Sequence, residues 1–211
     1  MEKTEKIRNS YVNFVLEQGH PPASFYVFAK KLKMTEAELY EFYTSFEAIE
    51  MDLWTSFFEQ ARTTAEADPT YQTYSVREKL LGFYYTWIEV LKANRSFIAY
   101  SYRFFDKPLA HKNPPQLRPF KNAFLEYAKD LLYEGRESKE IISRPYISSR
   151  YPEALWLNTL YILEFWVKDT SRNFEKTDSA IEKTVNTAFD LMGQSFVDSM
   201  IDLAKFMYQN K

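Results

Sequence analysis

The sequence predicts an all-α protein. Through most of its 211 residues the apolar side chains recur three and four positions apart, which is the period of an amphipathic helix. Strand-like alternation is scarce, and turn-forming residues separate long periodic stretches. These observations predict several short helices near the amino terminus, followed by a bundle of longer antiparallel helices.

The short helices of the amino-terminal part each have a recognisable start or stop. Gly19 ends the first helix in the position that a helix carboxyl terminus favours, and Ser24 can cap the second. Thr35 and Thr44 each stand three residues before a glutamate, which is the pattern of a capping box. The predicted segments are residues 3–18, 24–33, 35–43 and 44–65.

Longer helices joined by proline-bearing turns are predicted beyond Asp68. Ser75 begins a third capping box, Pro152 suits a first helical turn, and Thr177 can cap the last helix. The clearest loop is residues 107–116, which contain three prolines. The predicted helices are residues 75–95, 97–106, 116–135, 152–172 and 178–208.

Composition excludes several classes of site. The chain has no cysteine, two histidines and four glycines, so disulfides, zinc fingers and phosphate-binding glycine loops lack the residues they need. We expect no cofactor, no bound metal, no catalytic residues and no enzymatic activity. No apolar run approaches the roughly 18 residues that span a bilayer, and the first residues lack the apolar run of a secretory signal. The sequence therefore predicts a cytoplasmic protein without membrane insertion.

Aromatic residues are unusually abundant: Phe 18, Tyr 16 and Trp 4. So many large rings in a helical protein indicate bulky packing, an internal cavity, or both. A cavity lined by these rings would suit a hydrophobic small molecule, whereas an aromatic stripe at any single position is more often solid core. The candidate pocket residues are Trp87, Tyr100, Phe104, Phe124, Tyr127, Trp156 and Tyr161.

The last two predicted helices are candidates for self-association. Residues 154–167 are apolar on nearly every face, so that helix must be covered on more than one side. The final helix carries an apolar stripe that runs from Ile181 to Leu203, and Gly193 permits close approach of another helix. A homodimer through these two helices is expected, and burial of both within one bundle is the alternative.

The segment between residues 7 and 50 resembles the helix-turn-helix of the TetR family of bacterial repressors. The resemblance is carried by Phe28-Ala-Lys-Lys-Leu-Lys-Met-Thr35, then Leu39-Tyr40-Glu-Phe-Tyr43, then Ser45-Phe-Glu47, in the family's spacing without a gap. It implies a TetR-like fold, with a helix-turn-helix domain over residues 1–50 and a helical ligand-binding and dimerisation domain over residues 51–211. It further implies a dimer that reads palindromic operator DNA and is released by a small molecule.

The resemblance places the DNA contacts on the second and third helices. The candidate residues are Lys30, Lys31, Lys33, Thr35, Glu36, Glu38 and Tyr40, of which Tyr40 matches a residue that usually reaches a phosphate in the family. Residues 1–60, however, hold six basic and ten acidic side chains, a net charge of −4. Because phosphate contacts supply much of the affinity for DNA, this charge also favours a second hypothesis. In that hypothesis the protein keeps the fold, has lost DNA binding and carries a lipid or isoprenoid.

Overall fold

A computed structural model of the chain describes residues 2–105, 114–193 and 206–207. These residues form α-helices and short 3-10 turns, and the fold is all-α as predicted. Within the described residues the α-helices are α1 Glu2–Gln18, α2 Phe25–Leu32, α3 Glu36–Tyr40, α4 Phe46–Glu66, α5 Val76–Ala93, α6 Arg95–Tyr102, α7 Arg118–Glu137, α8 Tyr151–Lys168 and α9 Glu175–Met192.

Three of the predicted helix starts are confirmed by hydrogen bonds. The Ser24 hydroxyl accepts from the Val27 amide at 3.2 Å, and Thr35 and Ser75 each exchange bonds with the glutamate three residues later. The start of α4 differs, because Ser45 rather than Thr44 accepts from the Ala48 amide, at 3.2 Å. Local side-chain hydrogen bonds therefore fix where four helices begin.

The predicted last helix begins earlier than expected and is interrupted at Gly193. Helix α9 begins at Glu175, and the Thr177 amide and hydroxyl both donate to the buried Asp169 carboxylate, so Thr177 does not cap the helix. The helix ends at Met192, and Gly193 continues in an extended conformation. The predicted continuation over 194–205 lies outside the described residues, while residues 206 and 207 are helical.

The chain divides into two compact units. The first unit comprises residues 1–60 and 87–122, and the second comprises residues 61–86 and 123–211. In the first unit, Tyr11 of α1 and Phe28 of α2 pack against Phe46 of α4, with ring centroids 5.7 and 5.8 Å from that ring. The Trp54 indole of α4 donates to the Ser101 hydroxyl of α6 at 3.1 Å. These contacts hold the short amino-terminal helices on α4.

The core of the second unit lies between α5, α7 and α8. The Phe83 ring of α5 lies 5.1 Å from the Tyr127 ring of α7, and Phe124 lies 5.8 Å from Trp156 of α8. Arg144 closes the carboxyl end of α9, because its guanidinium donates to the carbonyl oxygens of Leu191, Met192 and Gly193. Carbonyl groups at the end of a helix have no amide donor within the helix, so the Arg144 guanidinium supplies the missing hydrogen-bond donors.

Candidate functional site

Helices α2 and α3 and the turn between them form the segment that the sequence predicts to be a DNA-binding motif. Helix α2 ends at Leu32, and the next residue, Lys33, has a left-handed backbone with φ 59° and ψ 41°. The Lys33 amide donates to the Lys30 carbonyl at 3.2 Å, and the Met34 amide donates to the Ala29 carbonyl at 3.1 Å. Thr35 then caps α3 directly. Three residues, Lys33 to Thr35, therefore separate the two helices.

The candidate DNA contacts lie on the outer surface of these two helices. Tyr40 is 52% exposed and stacks on Phe25, with ring centroids 4.8 Å apart. Lys30 and Lys33 are exposed at the carboxyl end of α2. The Lys31 ammonium is instead held by α1, since it lies 3.1 Å from the Glu17 carboxylate and 4.8 Å from the centroid of the Phe14 ring. Lys31 would have to leave these partners to reach a phosphate.

One of the three α3-region glutamates has a structural role. A Glu38 carboxylate oxygen accepts from the Thr35 amide at 2.7 Å and from the Thr35 hydroxyl at 2.8 Å. The amide bond first, and then the hydroxyl bond, lower the pKa of Glu38 below its usual value. Helix capping therefore accounts for Glu38. The half-buried Glu36 and the exposed Glu41 take no part in this box.

Polar contacts also join α1 to α4 at positions that no sequence motif marks. The Tyr11 hydroxyl of α1 donates to the Glu50 carboxylate of α4 at 2.7 Å, and both residues are buried. Burial raises the pKa of Glu50, and the bond from Tyr11 opposes that shift. Two residues further along α4, the part-buried Asp52 carboxylate accepts from Tyr43 and pairs with Arg8 of α1 at 3.1 Å. No local motif marks these residues, because the pairs join positions far apart in the chain.

The candidate pocket residues fall in both compact units. In the second unit Phe124 is fully buried and contacts both Tyr127 and Trp156, whereas Tyr161 is 37% exposed. The first unit contains Trp87, Tyr100 and Phe104. There Trp87 is fully buried, and Tyr100 packs against Phe104, which is 56% exposed.

Two cavities in the second unit include a candidate pocket residue each. A cavity of about 550 Å³ between α8 and α9 is lined by Tyr161 and Phe165 together with Lys176 and Lys183. A smaller cavity of about 230 Å³ is lined by Tyr127 and by Lys79 of α5. Lys79 is only 4% exposed and pairs with Glu134. The smaller cavity is therefore more polar than the ring-rich sequence predicted.

Helix α8 buries much of its apolar surface within the chain itself. Its buried residues are Tyr151, Leu155, Trp156, Thr159, Leu160, Ile162, Leu163 and Trp166. The Tyr84 hydroxyl hydrogen-bonds to Thr159 at 2.9 Å, which satisfies the polar group on that face. Tyr161 and the half-buried Phe165 remain at the surface.

The carboxyl-terminal part of the chain identifies its family. The family model described as tetracyclin repressor-like, C-terminal domain, matches residues 79–207, which is more than half of the chain. The chain belongs to the TetR family. No curated protein matches the sequence. The matched segment begins after the helix-turn-helix, so the family match and the α2–α3 geometry are separate observations that agree for this TetR-family chain.

Within the described ranges, no group of three or more histidine, cysteine, aspartate or glutamate side chains is placed to hold a metal ion. No helix of the described part is long and apolar enough to cross a membrane.

Proposed function

We propose that this TetR-family protein is a transcriptional regulator that binds operator DNA as a homodimer and is released or modulated by a hydrophobic small molecule. The observation that carries the proposal is the tight α2–α3 turn, with a left-handed Lys33 and a Thr35–Glu38 capping box. This turn presents α3 as a short recognition helix, with Tyr40 exposed beside it. In this proposal residues 1–50 bind DNA, and residues 51–211 bind ligand and dimerise.

Helices α8 and α9 are the proposed dimer surface. Tyr161 is exposed, Leu191 is 47% exposed, and the cavity between the two helices has Phe165 in its wall. A second copy would cover these apolar groups, as closed two-fold dimers do with self-complementary faces. The ligand is proposed to bind among the rings that include Phe124, Tyr127 and Trp156.

A second function is favoured by the charge of the motif. The segment from Thr35 to Asp52 contains six acidic side chains and no basic one. Glutamates near phosphates oppose binding, and only Glu38 is accounted for by helix capping. A TetR-fold protein that has lost DNA binding and carries a lipid or isoprenoid would retain the same helices, and acidic side chains on them would not oppose its function.

The contact proposed for Tyr40 can be tested without disturbing its packing. Tyr40→Phe keeps the ring on Phe25 and removes only the hydroxyl. If that hydroxyl donates to a phosphate, the change should weaken binding to upstream DNA by roughly tenfold, as expected for a bond to a charged group. Fluorescence anisotropy with labelled duplex measures the dissociation constant.

Tyr133→Phe is the matched control, because Tyr133 is an exposed tyrosine of α7 outside the motif, at 62% exposure. Equal affinities for the two variants would remove Tyr40 from the interface. Release of lipid or isoprenoid from the purified protein by organic extraction, together with absence of DNA binding, would support the carrier instead.

A further inference from the structure

A large cleft in the first compact unit has no role in the proposed function. Its volume is about 850 Å³, and it lies between α1, α4 and the turn that joins α5 to α6. Pockets that bind small molecules are commonly about 300–1,000 Å³, so the size suits an organic ligand. None of the seven candidate pocket residues lines it.

The floor of the cleft is apolar. Leu53 and Phe57 of α4 and Phe97 of α6 line it, and each is at least nine-tenths buried in the protein. Val12 and Leu16 extend the apolar surface along α1, and Leu16 is 46% exposed. A ligand with an apolar body would remove this surface from water, which is favourable in proportion to the area covered.

The rim of the cleft is polar and carries more cations than anions. Three basic side chains line it, Arg8, Lys92 and Arg95, against a single carboxylate, Glu5. Arg8 pairs with Asp52 at 3.1 Å and Lys92 pairs with Glu89 at 2.6 Å, but neither acid is part of the lining. These acids hold the two basic side chains in place and offset part of their charge.

Amide side chains complete the rim and add both donors and acceptors. Asn9 and Asn13 come from α1, Gln60 from α4, and Asn94 from the turn before α6. The Asn94 side-chain amide donates to the Val90 carbonyl at 3.0 Å, which fixes its orientation. Amides can bind the carboxylate, carbonyl or hydroxyl groups of a ligand.

We propose that this cleft binds an amphipathic organic anion, a small molecule with an aromatic or aliphatic body and a carboxylate. The body would lie on Leu53, Phe57 and Phe97, and the carboxylate would meet Arg95 and its basic neighbours at the rim. Because the lining comes from α1, α4 and the α5–α6 turn, the bound molecule would tie these three elements together. Binding here is independent of whether α2 and α3 contact DNA.

The test uses 4-benzoylbenzoate, an aryl carboxylate that also forms photo-crosslinks, and its uncharged carboxamide as the matched ligand. Isothermal titration with the full chain should show binding of the carboxylate that is at least tenfold tighter than binding of the carboxamide. Irradiation followed by peptide mass spectrometry should place the crosslinks on residues 5–16, 53–60 or 92–97.

Two variants and a control locate the site. Arg95→Gln should weaken binding about tenfold, as expected for a lost charge-assisted bond, whereas Arg118→Gln removes an exposed arginine of the same unit outside the cleft and should change nothing. Asn13→Trp places an indole at the exposed edge of α1 and should also block binding. Crosslinks on Phe124 or Trp156, equal affinities for Arg95→Gln and Arg118→Gln, or no binding at millimolar probe would each overturn the proposal.

Discussion

Removing one hydroxyl beneath the motif should measurably destabilise the protein. Tyr11 is fully buried and donates to the buried Glu50 carboxylate at 2.7 Å. In Tyr11→Phe the rings of Phe28 and Phe46 keep their neighbour, so the change isolates the hydrogen bond. A buried carboxylate that loses its partner costs about 1–3 kcal/mol, and we expect a loss of about 2 kcal/mol in the free energy of unfolding at pH 7.

The assay is urea unfolding followed by circular dichroism at fixed protein concentration, with Tyr133→Phe as the exposed control. A control effect within about 0.5 kcal/mol is expected for a surface position. Adding Glu50→Gln to Tyr11→Phe should recover part of the loss, because the neutral amide is less costly to bury than the carboxylate. A loss below about 0.5 kcal/mol in Tyr11→Phe would refute the reasoning, since the buried bond would then contribute no more than a surface contact.

The pH dependence of Glu50 follows from the direction of its shift. Burial raises the pKa of Glu50 above its usual value, so the folded state binds this proton more tightly than the unfolded state. The proton on Glu50 contributes fully to the stability of the folded state below the usual carboxyl pKa. This contribution is lost as the pH rises through the raised pKa of the folded state. Glu50→Gln should therefore gain stability relative to the native protein between acidic and neutral pH.

Three further predictions concern other contacts, and urea unfolding measures each. Thr35→Ala removes the cap of α3 and should cost about 1 kcal/mol, with Thr63→Ala on the exposed surface of α4 as the control; equal effects would contradict the capping role. Burial alone would raise the pKa of Asp169, but hydrogen bonds from Thr177 and Ser171 lower it to about 2. The ionised carboxylate therefore contributes fully to the free energy of unfolding above its usual pKa, and this contribution is lost as the pH falls through about 2. Asp169→Asn should accordingly cost about 1–2 kcal/mol at pH 7 and little near pH 2, and a loss independent of pH would be evidence against this interpretation. Lys79→Met should change stability by less than about 1 kcal/mol, because the partly exposed Glu134 can be hydrated when its partner is removed; a loss above about 3 kcal/mol would contradict this.

Features set by neighbouring residues could be predicted from the sequence. The caps at Ser24, Thr35 and Ser75 each depend on a side chain three residues from its partner, so the helix starts follow from short motifs. The same reasoning fails at Thr177, whose partner Asp169 lies eight residues earlier, outside any capping pattern.

Burial and long-range pairing could not be predicted in this way. Glu50 and Lys79 are charged residues of types that usually lie at the surface. Only the fold brings Tyr11 next to Glu50 and Glu134 next to Lys79. Aromatic residue type also gave no measure of exposure, since Trp156 is fully buried while Phe104 is 56% exposed. The family, in contrast, was recognisable from the motif spacing, and the match over residues 79–207 confirms it.

The most direct test of the proposed function is fluorescence anisotropy of the purified protein with DNA from its own upstream region and with a scrambled duplex, each at low and near-physiological salt. The regulator proposal predicts selective binding of the upstream duplex that survives physiological salt, with an affinity that falls as salt rises. The same measurement is made on protein as purified and on protein freed of bound ligand. If neither sample binds either duplex at low salt, the regulator proposal is contradicted and the carrier is favoured.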